Sequence, residues 1–289
     1  MAQLSFGGMH TQQKLQTLER YLSAYQKVLS NTHFETVFFD AFAGTGEIPI
    51  EELGELFQDV EEFEPFIDGS AKRALGVSPP FDRYVFVEKS SRKAQVLERI
   101  RDDFSHLTSR IHIEREDANV AVEKFCAATD WKRTRAVMFL DPFGNQVGWK
   151  IIEAVARTKA IDLWYLFPAH LGINRQISAS GDFDAGKAMS LDKVLGTTEW
   201  RDKFIGKVQH ANLWGDVEET SYKQATVDSI TRFMIERMRS VFEGIVLDEW
   251  LPLGRGGSHW YSLLFACANS SPKANEIAER VARAVMKRK

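Results

Sequence analysis

The chain has 289 residues, 44% hydrophobic and 27% charged, with 37 Lys+Arg against 40 Asp+Glu and a net charge of −3. That balance suits an ordinary soluble globular protein and excludes a global basic field, so any contact with nucleic acid has to use a local patch. Two cysteines without CxxC spacing argue against a disulfide framework or a cysteine metal site, and no apolar run approaches the ~20 residues of a membrane span, so the expected setting is a reducing cytoplasm.

Residues 11–30 carry Leu15, Leu18, Leu22, Tyr25 and Leu29 at spacings of three and four, which predicts an amphipathic helix. A strand follows at 37–40 and runs into Asp40-Ala41-Phe42-Ala43-Gly44-Thr45-Gly46. A Gly-x-Gly directly after an apolar strand lets backbone approach a ligand that a Cβ would block. Residues 47–68 are acidic and Phe-rich and read as an insertion or lid, extending to about 69. Strand 84–87 ends in Glu88, helix 90–104 turns Val96, Leu97, Ile100 and Phe104 inward, and strand 111–114 precedes Asp117-Ala118-Asn119. After a helix at 120–128, the uninterrupted apolar strand 136–140 stops at Asp141-Pro142-Phe143-Gly144. Helix 148–157 and strand 161–167 continue the alternation until Pro168.

The texture then changes. Residues 172–221 are polar with scattered aromatics and read as an insertion of loops and short helices. A helix at about 222–241 leads to two strands, 244–251 and 260–268, joined by a glycine-rich loop as a hairpin, and a helix from Pro272 closes the chain. The expected fold is α/β: one domain over 1–289, with a doubly wound, mostly parallel Rossmann-like sheet, a C-terminal antiparallel hairpin and inserted helical or loop segments. That order is the one expected of a class I methyltransferase core.

Ligands of open α/β sheets lie outside the carboxyl ends of the strands, where this chain places Asp40, Glu88, Asp117 and Asp141. Several carboxylates around one crevice suit a cationic sulfonium cofactor with ribose hydroxyls and an exocyclic amine, which is S-adenosylmethionine. Glu88, followed by Lys89, would accept from the ribose hydroxyls, and Asp117 with Ala118 and Asn119 would meet the adenine. Phe42, Ala43, Gly44, Thr45 and Gly46 would flank the methionine part, with Asp40 near its amine. A dinucleotide pattern needs a third glycine where this chain has Pro49. The turn Asp141-Pro142-Phe143-Gly144 is the reaction-specific element: a carboxylate and backbone carbonyl can hold a target NH2 while Phe143 stacks on its ring. No metal is implied.

These motifs, together with Lys14-Leu15, Tyr21-Leu22, Gly69-Ser70 and Asp162-Leu163-Trp164-Tyr165-Leu166-Phe167-Pro168, resemble the three-Cys-motif partner protein (TcmP) family over most of the chain. The resemblance implies a methyltransferase-like core, an S-adenosylmethionine cofactor and a partner with three cysteines that resembles radical-type S-adenosylmethionine enzymes. The Asp-Pro-Phe-Gly turn is also similar to that of tRNA guanine-N2 dimethyltransferases, which implies a nucleobase amine as acceptor. Candidate substrate contacts are Ser70, Arg175, Arg255 and His259, with Lys72 and Arg73 on the same surface. Methylation of a small molecule or a partner's product, or a noncatalytic cofactor-binding subunit, are the other readings.

Overall fold

A computed structural model describes residues 8–44, 69–211, 217–254 and 257–287. Thr45, Gly46, Pro49, the acidic stretch 47–68 and Arg255 lie outside the described residues, so the expectations placed on them have no structural counterpart.

The core is a sheet ordered β3-β2-β1-β4-β5-β10-β8, with β9 also on β10. Its parallel part comprises β1 (Glu35–Asp40), β2 (Arg83–Val87), β3 (Ile111–Glu114), β4 (Thr134–Leu140) and β5 (Ile161–Phe167). β10 (Tyr261–Cys267) runs antiparallel to β5 and to both β8 (Ile245–Val246) and β9 (Leu251–Leu253). The expected closing hairpin is therefore present, with its first strand broken into two short pieces that both pair with β10.

Alternation along the strands feeds two separate cores, the mark of a sheet covered on both faces. Val37 and Phe39 of β1, Ala136 and Met138 of β4, and Leu163 and Tyr165 of β5 face one layer. That layer is α4 (Ala118–Ala128), α5 (Trp149–Thr158), α6 (Ala185–Leu195) and α8 (Val227–Arg239). Phe38, Val137, Phe139 and Trp164 face the other, built from α1 (Gly8–Leu29), α2 (Ser70–Leu75), α3 (Ser91–Asp103) and α9 (Pro272–Met286). In α9, Ala278, Ala282 and Met286 recur every four residues and are buried, so one stripe docks the helix. Proline at its start supplies a preset φ where no intrahelical N–H bond is lost. In α3, Leu97 is buried as expected, whereas Val96, Ile100 and Phe104 are half-buried.

The region 172–221 departs from the sequence reading. It contains α6 and a short helix α7 (Trp200–Phe204), as expected, and also a two-stranded ribbon, β6 (Ile205–Ala211) with β7 (Val217–Lys223), which was not. The ribbon lacks apolar alternation: Ile205 packs against the main core, whereas Val208, Val217 and Tyr222 are exposed. Its pairing instead uses Lys207 with Glu219 across the strands (2.7 Å) and Gly206 opposite Tyr222, where a Cβ would collide with the tyrosine ring.

One charged residue sits inside an otherwise apolar strand. Asp162 of β5 is buried and accepts from the Tyr21 hydroxyl of α1 at 2.5 Å, and the Cys267 thiol of β10 is its second side-chain partner. Burial holds the Asp162 carboxyl above its ordinary range despite those bonds, and holds the Tyr21 hydroxyl protonated. The pair fixes α1 on the sheet. Tyr21→Phe is expected to cost about 1–3 kcal/mol in a urea titration, the usual penalty for a buried acceptor stripped of its donor. Wild-type stability in that variant would mean that Cys267 alone satisfies Asp162.

Candidate functional site

β1 lies between β2 and β4, and its carboxyl end is where the order of connection reverses, the place where open α/β sheets bind ligands. In register, Asp40 pairs with Phe86 of β2 and with Phe139 of β4. Glu88 and Asp141 each lie two residues beyond those partners. One pleat period therefore brings three carboxylates from adjacent strands to the same crevice.

Asp40 is wholly buried. It accepts from the Ser70 hydroxyl at 2.5 Å and from the Phe42 amide at 3.1 Å. Its carboxyl is pushed up to about 7, chiefly by burial, with the two hydrogen bonds opposing, Asp141 adding to the rise and Lys14 working against it. Ser70 was expected on the substrate side; the structure spends its hydroxyl on Asp40, because α2 carries it back beneath the turn after β1.

That turn is tied down on both sides. The Ala41 amide donates to the Phe139 carbonyl (3.1 Å) and the Ala43 amide to the Val87 carbonyl (3.0 Å). At Gly44 an added Cβ would overlap Oε2 of Glu88 and crowd Lys93. A larger residue here would have to displace the tip of the Glu88 side chain, so glycine lets that carboxylate lie directly against the turn. Oε1 of Glu88 accepts from the Ser90 amide at 2.6 Å, which aims the other oxygen at Gly44. Lys89 points to solvent.

Asp117 caps α4, accepting from the Asn119 amide at 2.9 Å and from its side chain at 3.1 Å. Burial tends to raise its carboxyl, but the Asn119 bonds and the Lys89 charge outweigh it and hold the group below the ordinary range. Asn119 also donates to the Gln146 carbonyl (3.0 Å) and accepts from the Gly148 amide (2.9 Å), so the ends of β3 and β4 share one hydrogen-bonded seam. Ala118 is buried beneath it.

After β4, Pro142 is buried, Phe143 is half-buried and its amide donates to Oε1 of Gln146 at 3.0 Å, and Gly144 takes a left-handed φ of +64°. Asp141 forms an ion pair with Lys14 of α1, whose ammonium also lies 5.9 Å from the centre of the Phe139 ring. Lys14 is a site residue that sequence reasoning missed. Its signal was position: it immediately precedes the buried stripe beginning at Leu15, and so emerges at the rim where α1 crosses β4. Tyr261 at the start of β10 also faces Asp141, whose charge adds to burial in raising the tyrosine hydroxyl.

Arg73 pairs with Glu19 at 2.6 Å and so does not stand with the other expected substrate cations. Arg175 and His259 are brought to a second place, beyond β5 and β10. A cleft of about 470 Å³ there is lined by His170, Asn174, Lys223, Thr226, His259 and Trp260, among others. Burial lowers the His170 imidazole first, and Arg175, Lys223 and His259 lower it further. Among the described residues no group of three or more His, Cys, Asp or Glu could hold a metal ion, and no helix is long and apolar enough to cross a membrane. Cys126 and Cys267 are free thiols.

No family model matches the chain, and no curated protein matches it. Among solved structures, it is similar to the Legionella pneumophila protein LPL1258, of family model DUF519, at 13% identity over 82% of this chain and 94% of that one, with a TM-score of 0.40. It is also similar to the plantazolicin methyltransferase BamL, solved with a triazolic desmethylPZN analog and SAH, at 13% identity over 87% of this chain and 82% of that one, with a TM-score of 0.30. Similarity at that level carries no argument about what this chain binds. The protein is a mixed α/β fold whose mostly parallel sheet closes on an antiparallel hairpin and gathers carboxylates at its switch point.

Proposed function

We propose that the protein is an S-adenosylmethionine-dependent methyltransferase that acts on an exocyclic amine of a nucleobase-like ring. The observation that carries the reading is the contact between Gly44 and Glu88: a backbone without a Cβ faces a carboxylate that one hydrogen bond has already aimed. That cradle fits a ribose diol on Glu88, with the buried Asp40 beneath the turn for a cationic amine. The sheet order, with β10 antiparallel between β5 and β8, supports the same core.

The bound cofactor supplies an electrophilic methyl group on a sulfonium sulfur. The chain's own work is positioning. Asp141 has one oxygen on Lys14, leaving Oδ1 and its backbone carbonyl to accept from the acceptor's NH2. Lys14 keeps that carboxylate oriented, and Phe143, held by Gln146, offers a ring face for the base. Orientation of this kind draws on the ~7–11 kcal/mol available from proximity. A three-cysteine-motif partner that delivers or consumes the substrate agrees with the motif resemblance.

Glu88→Ala is expected to weaken S-adenosylmethionine binding about 10- to 100-fold in calorimetry, the ~1.5–3 kcal/mol of hydrogen bonds to a charged group, with no loss of fold. Unchanged affinity would reject the ribose assignment. The acceptor is found by incubating the protein and labelled cofactor with total nucleic acid and, separately, with small-molecule extract. Label that enters only the small-molecule fraction would replace the polymer by a free nucleotide or related amine.

A further inference from the structure

The cleft beyond β5 and β10 has a chemistry of its own. Among the described residues its titratable lining members are His170, Lys223 and His259, and no carboxylate lines it. Lys223 ends β7 and donates to the carbonyls of Asn174 and Ile177, with no carboxylate paired to it among the described residues. An ammonium with two bonds made has a third N–H to give. The amino end of α8 opens on the same cleft through Thr226 and Val227 and adds a partial positive charge.

The proton count fixes how His259 is held. The Thr231 hydroxyl donates to the Val227 carbonyl at 2.8 Å. The 2.7 Å contact between Thr231 and Ser262 then needs the serine's proton, so Ser262 is left to accept from Nε2–H of His259 at 2.9 Å. Nδ1 is therefore the nitrogen that titrates. It faces Asp228, 3.4 Å away and largely exposed at the rim. His170 is held likewise: the Asn174 side chain donates to its Nδ1 at 3.0 Å, which leaves Nε2–H as a donor.

The cleft adjoins the proposed transfer site through continuous backbone. The His170 amide donates to the carbonyl of Trp260, a lining residue, and the next residue, Tyr261, faces Asp141. We propose that this cleft seats an anionic group of the acceptor, a phosphate or carboxylate carried beside the amine that receives the methyl. Its role as the acceptor's cleft rests on the methyltransferase reading, whereas anion binding itself does not. The volume, about 470 Å³, suits one compact group on a small or single-stranded acceptor and not a duplex.

Inorganic phosphate, and in a second arm acetate, is titrated into the full chain while imidazole resonances are followed by NMR. S-adenosylmethionine affinity is measured on the same protein. Saturable shifts of His170 and His259, assigned through His170→Gln and His259→Gln, are expected, with the exposed His33, His106 and His112 unmoved. Lys223→Met should weaken the binding at least tenfold, and His170→Gln serves as the second variant if loss of Lys223 unfolds the ribbon. Phosphate alone binding identifies a phosphorylated acceptor, and acetate alone a carboxylate. Neither binding, parallel shifts of His33, His106 and His112 with His170 and His259, or unchanged affinity in a folded Lys223→Met protein would overturn the proposal. Anion binding without S-adenosylmethionine binding would sink the methyltransferase reading and keep the anion site.

Discussion

Asp141→Ala is expected to leave S-adenosylmethionine affinity within about twofold of wild type while methyl transfer to the true acceptor falls by about 10²-fold or more, the scale on which misplacing a reacting group acts. The carboxylate stands one residue past β4 with about one quarter of its side chain exposed, and Lys14 is more deeply buried, so turnover of the variant is compared with wild type at a temperature where urea titration shows both fully folded. A large loss of turnover would therefore report on chemistry and not on stability. Asp141→Asn separates the two functions of the side chain. It keeps an acceptor oxygen for the amine but surrenders the charge that holds Lys14, so an intermediate rate is expected. Lys14→Met should mimic that intermediate rate if Lys14 is a positioning residue. It should raise KM for the acceptor with little change in cofactor affinity. Wild-type turnover in Asp141→Ala would reject the amine-holding role outright.

The contrast between β5 and β6 shows which parts of this fold the sequence made legible. The sequence delimits strand 161–167 at the bounds the structure shows, because burial on both faces leaves a nearly continuous apolar run and Pro168 cannot extend it. β6 and β7 carry no such signal, since a ribbon that pairs through Lys207, Glu219 and a glycine under a tyrosine has nothing periodic to display. The site divides the same way. Asp40, Gly44, Glu88 and Asp141 were visible as residues after strands, because in this architecture chain order alone sends them to one edge. Their pairings were not. Nothing in the sequence says that the carboxylate lying against Gly44 is Glu88, that Ser70 turns inward to Asp40, or that Lys14 reaches Asp141 from 127 positions away. Those contacts depend on how α1 and α2 cross the sheet. Similarly, His170 and Lys223 lie 53 positions apart, and only the return of β7 to the end of β5 makes them one cleft.

Asp40→Asn is expected to remove a pH dependence of stability that the wild type carries between about pH 4 and pH 7. The buried carboxyl is pushed up to about 7 and returns to about 4 when the chain unfolds. Between those values the native state holds a proton that the unfolded state has released. Stability therefore declines as pH rises through the window and levels off above about 7. At ~1.4 kcal/mol per unit, the group's contribution to that decline is on the order of 4 kcal/mol. Urea titrations at several pH values should show wild type and Asp40→Asn converging in stability near pH 4 and diverging toward pH 8, the variant being the more stable there. A cationic ligand reverses the preference, because it favours the carboxylate. Binding S-adenosylmethionine near pH 6 should thus release a proton, seen as a dependence of the calorimetric heat on the buffer's ionisation enthalpy. The asparagine variant should bind more weakly and release none. Equal pH slopes in the two proteins would show that Asp40 is ionised in the folded state at low pH, and proton-neutral binding by wild type would remove the cofactor's amine from its side.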